Sequence, residues 1–521
     1  MALITLVLLP LLGGLALVAG GRGLAAPVAT RVAAALAVVT FLLAVVVAIT
    51  RPAVDRSWLP ELGVRAHLGI DGISVPLILL TALVGVLVTI HAMGEVPAGG
   101  SPSTLVGSLL LVVGGALATF TARDIVLFFL AFELVLIPMW VLIRRFGDPH
   151  HPGARAEAGH RFVLYTAVGS TLMLVGILLL VASAGSTDLG RLVEAGAALP
   201  HGRQLTIALL LVTGLAVKVP VFPLHTWLPS AHTIAPTAGS VLLAAILLKM
   251  GTYGLVRLPL ALVPSGFAAL APWLAIAGVV GIVWGSLVCL VERDLKRLIA
   301  YSSVAHMGFV VLGLSTGTVA GLQAALYGNL AHGVISALLF VVVGGLKRRW
   351  GSVDLRRSWP ALREIAPRRG FALILGLAAA LGLPGLAGFW GEFLAILAAW
   401  RPADVTQIPV FRTVAVIAAI GGALAAAYAL RVARLLWVGD AVELADPAGV
   451  ADAVEAVDPS GDGDGDSGQR GTGEGLDVEA RGVEWMALSA LGLATVLLGV
   501  LPWLVLGVMD PAVTALLGGA R

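Results

Sequence analysis

Six ionisable residues lie inside apolar runs where a bilayer should exclude them: Glu133, Lys218, Lys249, His306, His332 and Glu392. An ionised group at mid-membrane costs roughly 2.5–3.5 kcal/mol even on the lenient insertion scale. Groups that are kept at this cost usually face a polar interior and take part in transport. The chemistry that fits lysine, glutamate and histidine in such a place is proton movement.

Each of these residues also has a simpler interpretation. Lys218 or Lys249 could extend its ammonium group to an interface, although apolar residues continue well beyond both. Glu133 and Glu392 could be ion-pair partners with a purely structural role. A histidine that faces other helices is a packing group as often as a proton relay.

Prolines interrupt the apolar runs beside two of these residues. Pro220 and Pro223 follow Lys218, and Pro384 in "LGLPGLAG" precedes Glu392. Proline removes a backbone donor and clashes with the preceding turn, so each helix should break there. Breaks at membrane depth are tolerated only where protein or water satisfies the freed backbone groups. Either break alone could be a structural kink; together they indicate paired sites in two halves of a transporter.

A buried lysine beside a carboxylate is a proton site with adjustable affinity. Desolvation favours the neutral amine, and a nearby carboxylate favours the charged form. We expect Glu133 and Lys218 to form such a pair. Lys249 and the two histidines would then pass protons along the membrane midplane towards Glu392, with water in the gaps.

The elements that must position these residues are membrane helices. Of the 521 residues, 59% are hydrophobic and 12% are charged, whereas soluble proteins carry about 25% charged residues. Spans of about 20 apolar residues predict an all-α polytopic membrane protein of about fourteen helices. We read the N-terminal stretch as the first of them, because it lacks the basic region and cleavage site of a signal peptide. The predicted helices lie near 2–20, 28–50, 72–93, 104–121, 124–143, 161–183, 205–222, 236–258, 268–291, 295–315, 318–346, 370–400, 410–438 and 484–517.

Positive charges in the loops predict the orientation. Leaving out the acidic stretch at 440–484, the loops and adjoining helix ends after odd-numbered helices hold 17 Lys and Arg residues, and those after even-numbered helices hold 9. The positive-inside rule therefore places the first set in the cytoplasm and both termini outside, in the inner (plasma) membrane.

Several function classes find no support in the sequence. The net charge is only +3, and the chain has no basic cluster of the kind that binds nucleic acid. The only cysteine, Cys289, allows no cysteine-ligated cluster. The acidic Gly/Asp-rich stretch at 440–484 fails the calcium-loop spacing, because Ser467 and Gly473 occupy the positions of the required Gly and Glu. We expect that stretch to be a disordered cytoplasmic loop.

Five stretches between residues 70 and 440 together carry a family resemblance: "FELVLIPMWVLI", "KVPVFPLHTWLPSAHTIAPTAGSVLLAAILLKMGTYGL", "DLKRLIAYSSVAHMGF", "LAHGVISALLF" and "LPGLAGFWGEF". They resemble the antiporter-like subunits of proton-pumping NADH:quinone oxidoreductase, respiratory complex I. Pro138 and Met139 after Glu133 are typical of the subunit M branch. Subunit L usually has lysine in place of Glu392, and also a lateral helix after the last span that we do not expect here.

The resemblance implies a fourteen-helix fold with two inverted five-helix repeats and breaks in helices 7 and 12. The implied divisions are 1–103, 104–258, 268–438, the acidic loop 440–484 and a last helix at 485–521. It implies roles for seven residues: the essential glutamate Glu133, the lysine at the first break Lys218, the central lysine Lys249, the relay histidines His306 and His332, the terminal glutamate Glu392, and the break histidine His225.

The resemblance also implies partners and cofactors. The chain would move protons as part of a translocase, beside antiporter-like subunits L and N and membrane lipid. It would hold no cofactor itself, while NADH, FMN, iron–sulfur clusters and quinone would act in other subunits. Two alternatives stay open: a subunit of a multisubunit Na⁺/H⁺ antiporter or membrane-bound hydrogenase, and a scaffold that transports nothing.

The chain departs from the family in one motif. The family usually reads "HTWLPDAHTEAPT", and here Ser230 and Ile234 replace the two acids. Any role of those acids beside Lys218 is therefore in doubt for this chain.

Overall fold

The computed structural model describes residues 1–94, 96, 100–439 and 479–518, and almost all of them are helical. In chain order, the α-helices are α1 (Ala2–Gly20), α2 (Ala26–Thr50), α3 (Ser74–Gly94), α4 (Pro102–Thr121), α5 (Ile125–Leu134), α6 (Leu136–Phe146), α7 (Pro152–Ala184), α8 (Leu189–Ala197), α9 (His201–Lys218), α10 (Trp227–Ile234), α11 (Thr237–Leu242), α12 (Leu248–Leu255), α13 (Pro264–Val291), α14 (Leu295–Ser315), α15 (Val319–Trp350), α16 (Leu362–Ile365), α17 (Pro367–Ala380), α18 (Ala387–Trp400), α19 (Ile408–Val432), α20 (Gly482–Val500) and α21 (Pro502–Gly518). Turns of π-helix at Leu243–Leu247 and Val256–Leu260 join and extend α11 and α12, and a third at Ala433–Val438 extends α19.

The prediction of an all-α polytopic membrane protein is confirmed. Within the described ranges, 12 helices are long and apolar enough to cross a membrane, judged by length and composition. Shorter apolar helices at Ala387–Trp400 and Pro502–Gly518 accompany them. The count of fourteen spans, the two inverted repeats and the division at 104–258 and 268–438 stay predictions.

Two segments form the centre of the bundle. Every residue in the most apolar window of Thr237–Leu260 and of Val319–Trp350 is buried, whereas only 33% of the corresponding window is buried in α1 and in α2. Burial on all sides requires apolar or small residues around the whole helix, and both segments have them. The central segments carry Lys249 and His332.

Close backbone contacts hold neighbouring helices together. A methyl group on Gly169 of α7 would lie 2.8 Å from the Gly214 carbonyl oxygen of α9, and one on Gly278 of α13 would lie 2.8 Å from that of Gly308 of α14. Glycine is therefore required at these crossings. Small residues at crossings are the usual means of packing helices in membranes, where lipid offers no hydrophobic drive for association.

Both predicted helix breaks are present. The first separates α9 from α10 over residues 219–226, and Pro220 there has a φ of 29°. The second separates α17 from α18 over 381–386, where Gly382 and Gly385 have φ of 73° and 89°. Only glycine adopts such φ values without strain. The prolines and glycines named from the sequence thus end the helices where expected.

Protein groups satisfy the backbone carbonyls that the breaks set free. At the first break, Trp227 Nε1 donates to the Val217 carbonyl oxygen at 2.9 Å. At the second break, His306 Nε2 lies 2.8 Å from the Ala380 carbonyl oxygen. Irregular backbone at this depth is stable only with such partners.

Three features differ from the sequence prediction. The single last helix predicted near 484–517 is wrong: it is two helices that meet at Leu501, because Pro502 starts α21 and Leu501 is not helical. An antiparallel hairpin of β1 (Val54–Leu59) and β2 (Val64–Leu68) and the short helix α8 were not predicted. The acidic stretch lies outside the described residues as far as 478, and its last residues from Gly482 belong to α20.

Contacts between loops occur in two separate groups. At one end, short bridges pair Leu68 with Ala122 and Asp124 with Asp188. At the other end, Asp294 pairs with Asp354, and Lys347 Nζ lies 2.6 Å from Asp148 Oδ2. We call these the hairpin end and the Lys347 end.

Candidate functional site

The last residue of α9, Lys218, lies at the first break and is only 3% exposed. Its Nζ lies 4.6 Å from the centroid of the Phe132 ring, a cation–π contact. Gly251 of α12 packs directly against it, with room for no side chain. The break therefore holds an ammonium group inside the protein with an aromatic face as its nearest partner.

Glu133 lies in the last turn of α5 and is half-buried. Ser170 of α7 donates a hydrogen bond to its carboxylate. Among the described residues no salt bridge joins Glu133 to Lys218, although the two interact electrostatically. The two predicted partners therefore interact without forming a salt bridge. Glu133 is hydrogen-bonded to Ser170, and Lys218 lies against the ring of Phe132.

His225 lies within the first break, away from the Lys218 ammonium. Its ring stacks on Phe222 at 5.4 Å and meets Tyr301 edge-on at 6.4 Å. Its Nδ1 is buried with no hydrogen-bond partner in the described part of the chain. The structure does not link His225 by contact to the other candidate residues.

The remaining four candidates form one connected cluster, which we call the relay: Lys249, His332, His306 and Glu392. Lys249 Nζ lies 2.5 Å from His332 Nδ1. The rings of His332 and His306 are 5.6 Å apart, and His306 Nε2 lies 3.5 Å from Glu392 Oε1. These residues come from α12, α15, α14 and α18, so four helices meet at the relay.

Hydrogen bonds in the relay fix where protons can reside. The Lys249–His332 contact holds one shared proton, donated by the amine or by the ring. Both ring nitrogens of His306 face carbonyl oxygens, Ser302 at 2.6 Å and Ala380 at 2.8 Å. A carbonyl only accepts, so both contacts are satisfied at once only when the His306 ring carries two protons.

A small cavity lies between the two relay histidines and Glu392. Its volume is about 20 Å³, and Gly328, Gly388 and Gly391 form part of its wall. A water molecule needs about 10–15 Å³ of such space and two or more polar partners. The cavity offers both, so one water molecule can bridge His332 and Glu392.

Sequence reasoning missed one histidine near the relay. His232 of α10 is 0% exposed and stacks on Phe340 at 4.5 Å. Both of its ring nitrogens are buried without partners in the described part of the chain. It interacts electrostatically with Lys249 and Lys296. The signal was present in "HTWLPSAHTIAPT", where His232 follows His225 by two helical turns.

The two departures from the family motif have plain structural accounts. Ser230 donates to the Trp227 carbonyl oxygen at 2.8 Å, within its own helix. Ile234 is 8% exposed and packs in the apolar core. Neither contacts Lys218. Across the residues that the structure covers, no group of three or more His, Cys, Asp or Glu could hold a metal ion.

Comparison with known proteins agrees with this geometry. The family described as "NADH:quinone oxidoreductase/Mrp antiporter, TM" matches residues 122–418. The NADH-quinone oxidoreductase subunit M of Rickettsia conorii is 35% identical over 384 residues, which cover 74% of this chain and 75% of the relative. The NAD(P)H-quinone oxidoreductase chain 4 1 of a Synechococcus strain is 37% identical over 386 residues, covering 74% and 71%.

A solved structure agrees over the whole length. A chain in the structure of respiratory complex I from Thermus thermophilus with bound NADH superposes with a TM-score of 0.83. It is 29% identical, and 100% of each chain is covered. This chain therefore belongs to the NADH:quinone oxidoreductase/Mrp antiporter transmembrane family.

Proposed function

We propose that this chain is the proton-translocating subunit M of an NADH:quinone oxidoreductase. The names of its relatives and its full-length likeness to a complex I chain support the complex. The observation that carries the proton function is the relay from Lys249 to Glu392, four buried or nearly buried side chains that lie next to one another around a water-sized cavity.

Proton transfer through the relay follows its contacts. Lys249 gives a proton to His332 Nδ1, and His332 then loses the proton on its Nε2. A water molecule in the cavity of about 20 Å³ carries that proton to Glu392. The cycle is complete when Glu392 loses its proton, the neutral His332 ring moves its remaining proton from Nδ1 back to Nε2, and Lys249 takes up a new proton. Each step joins a donor to an acceptor within hydrogen-bond reach or through one water molecule.

Glu133 and Lys218 set the state of the relay in this proposal. When the carboxylate approaches, the ammonium form of Lys218 is favoured; when it retreats to Ser170, a proton on Lys218 is released more easily. His225, on the same broken segment, moves with the backbone of the break. The redox chemistry, with NADH, FMN, iron–sulfur clusters and quinone, takes place in other subunits, and this chain binds no cofactor.

We also propose how the chain is placed in the membrane and in the complex. The chain lies in the inner (plasma) membrane with both termini on the outer side, and subunits L and N flank it. The excess of Lys and Arg in one set of loops supports the orientation.

Lys249→Met in the assembled complex tests the proposal. Methionine keeps the length and packing of the side chain but cannot carry a proton, so the rate of proton uptake into proteoliposomes during NADH oxidation should fall by about 10²-fold. The matched control is Lys347→Met, because Lys347 lies outside the relay and pairs with Asp148. A complex with this control substitution should pump normally. Normal pumping by an assembled Lys249→Met complex would refute the relay.

The family description also covers Mrp antiporters. An antiporter subunit would use the same relay to exchange protons for Na⁺. The subunits that copurify with the chain distinguish the two: peripheral flavin and iron–sulfur subunits support the oxidoreductase, and small antiporter subunits support exchange.

A further inference from the structure

A second polar site lies at the hairpin end of the bundle, and none of the four relay residues lines it. It is a cavity of about 630 Å³, within the size range of small-molecule sites. Three arginines and one aspartate line it: Arg51, Arg123, Arg257 and Asp71. Apolar residues that follow the Val256–Leu260 segment or lie in α21 also line the cavity: Leu262, Ala512, Ala515 and Leu516.

Positive charge in this cavity exceeds negative charge. Asp71 Oδ2 lies 2.5 Å from Arg257 Nη2 and 3.0 Å from Arg123 Nη2. Burial alone would raise the pKa of the Asp71 carboxyl, but the two guanidinium groups hold that pKa well below its usual range. One carboxylate therefore faces two cations, and the trio keeps one positive charge. Arg51 adds a second positive charge to the cavity. Arg51 forms no ion pair within the described part of the chain.

Arg257 also has an unused donor. The residue is 9% exposed, and its guanidinium lies 5.0 Å from the Tyr253 ring centroid. Its Nε is buried and has no hydrogen-bond partner among the described residues. An unsatisfied buried donor costs about 1–3 kcal/mol, and more when it is charged. The excess positive charge of the cavity calls for an acceptor that bears negative charge.

We propose that this cavity binds a phosphate group, and that the phosphate belongs to an anionic phospholipid. Arginine is the residue best suited to phosphate oxygens, because its planar fork offers parallel N–H donors. Basic pockets between membrane helices bind lipid headgroups in this way. The apolar wall at α21 favours a lipid over free phosphate, since it offers a surface for the first part of the acyl chains and nothing for a small hydrated ion.

Arg51 is the residue to change. Arg257 and Arg123 hold Asp71 and tie together the ends of three helical segments, so their loss could prevent folding. Arg51 follows the last residue of α2, is exposed, and takes no part in that trio. Arg51→Gln removes one charge-assisted donor, and Arg51→Lys keeps the charge. Arg203→Gln is the control, because Arg203 lies at the same end, bonded to Ser183 outside the cavity.

Native mass spectrometry of the full chain in detergent measures the binding. The probes are phosphatidylglycerol, phosphatidylcholine and inorganic phosphate, and the melting temperature reports folding of each variant. The wild type and Arg203→Gln should retain phosphatidylglycerol over phosphatidylcholine. Arg51→Gln should weaken phosphatidylglycerol binding by about tenfold, which corresponds to one hydrogen bond to a charged group, and Arg51→Lys should lose less.

Two outcomes would overturn the proposal. Equal retention of the two lipids by the wild type, or unchanged phosphatidylglycerol binding in a folded Arg51→Gln chain, would show that the arginines recognise no phosphate. If inorganic phosphate competes with phosphatidylglycerol at equal concentration, the cavity binds phosphate, but its ligand is a free anion and not a lipid. The relay is not touched by these variants, so proton pumping is tested separately.

Discussion

At the first helix break Lys218 faces an aromatic ring and Glu133 is bound to Ser170, so the two charged residues do not touch. At the second break Glu392 lies 3.5 Å from His306, which continues through His332 to Lys249. Both breaks expose backbone carbonyls, and both are satisfied by an aromatic ring N–H, from Trp227 or from His306. The same solution at the backbone, a ring N–H that donates to a freed carbonyl, therefore occurs beside two different side-chain arrangements.

The difference separates two tasks. A connected series of donors and acceptors can pass protons with only local rearrangement and one water molecule. A separated acid and base must move relative to each other before a proton or a charge effect passes between them. The first region is therefore suited to switching, and the relay is suited to conduction.

The largest effect should come from Lys218→Met. This substitution removes the cation that lies against Phe132 at the first break, so we expect proton pumping by the assembled complex to fall by about 10²-fold. Glu133→Gln should cost less, about tenfold, because glutamine still accepts the bond from Ser170. Proton uptake in proteoliposomes measures both. Equal and complete loss in both variants would show a pair in constant contact, and the distinction between the two regions would fail.

Gly328→Ala should separate conduction from stability. A methyl group on Gly328 of α15 would find its nearest atom at 3.4 Å, an ordinary contact, yet it would enter the cavity between His332 and Glu392. Pumping should fall several-fold, while the alanine stabilises the helix by up to about 1 kcal/mol. Gly159→Ala in α7 is the control, since its methyl group would also find its nearest atom at 3.4 Å, on Trp140, which does not line this cavity. Undiminished pumping in Gly328→Ala would remove the bridging water from the pathway.

Double-mutant cycles compare the two regions directly. Residues in contact show coupling energies of about 0.5–3 kcal/mol, and residues without contact add within about 0.5 kcal/mol. We expect strong coupling between Lys249→Met and His332→Gln, and weak coupling between Lys218→Met and Glu133→Gln. Thermal unfolding of the four single and two double variants in detergent gives both values. A stronger coupling in the Lys218 cycle would reverse the assignment of the two tasks.

The smallest effect concerns the ion pair that joins the two regions at the Lys347 end. Burial would raise the pKa of the Asp148 carboxyl, but the hydrogen bond and charge of Lys347 at 2.6 Å hold that pKa below its usual value. The stability that the Asp148–Lys347 pair contributes is therefore complete above about pH 4. It is lost as the pH falls through the pKa of Asp148 in the folded protein.

Asp148→Asn should consequently lower the free energy of unfolding at neutral pH by less than about 1 kcal/mol, because the pair is partly exposed. The difference from the wild type should shrink below about pH 4. Melting temperatures from pH 3 to pH 8 measure it. A difference that grows as the pH falls would contradict the depressed pKa.

The sequence predicted the local features of the fold well. Proline and glycine act on their own turn, so Pro220 and Pro384 located both breaks. Burial of charge was also readable, since Lys249 lies deep in an apolar run. The split of the last helix was missed because apolar residues continue through Pro502, and composition does not register where a single turn is lost.

The relay contacts could not be predicted in the same way. Lys249 and His332 are 83 residues apart in the chain, and no local pattern determines which helices meet. His232 was passed over because its neighbours from other helices, Phe340 above all, are what make it a buried ring without partners. The separation of Glu133 from Lys218 likewise depends on Ser170, which carries no signal in its own segment.

The complete enclosure of the two central segments has an electrical consequence. Lys249 and His332 lie on helices whose apolar windows meet no surroundings other than the chain itself. The chain itself therefore separates Lys249 and His332 from lipid. A thicker, thinner or differently charged bilayer should change the surroundings of these two residues little. The outer helices α1 and α2, with two thirds of their apolar windows not buried, face the membrane in place of the segments that carry Lys249 and His332.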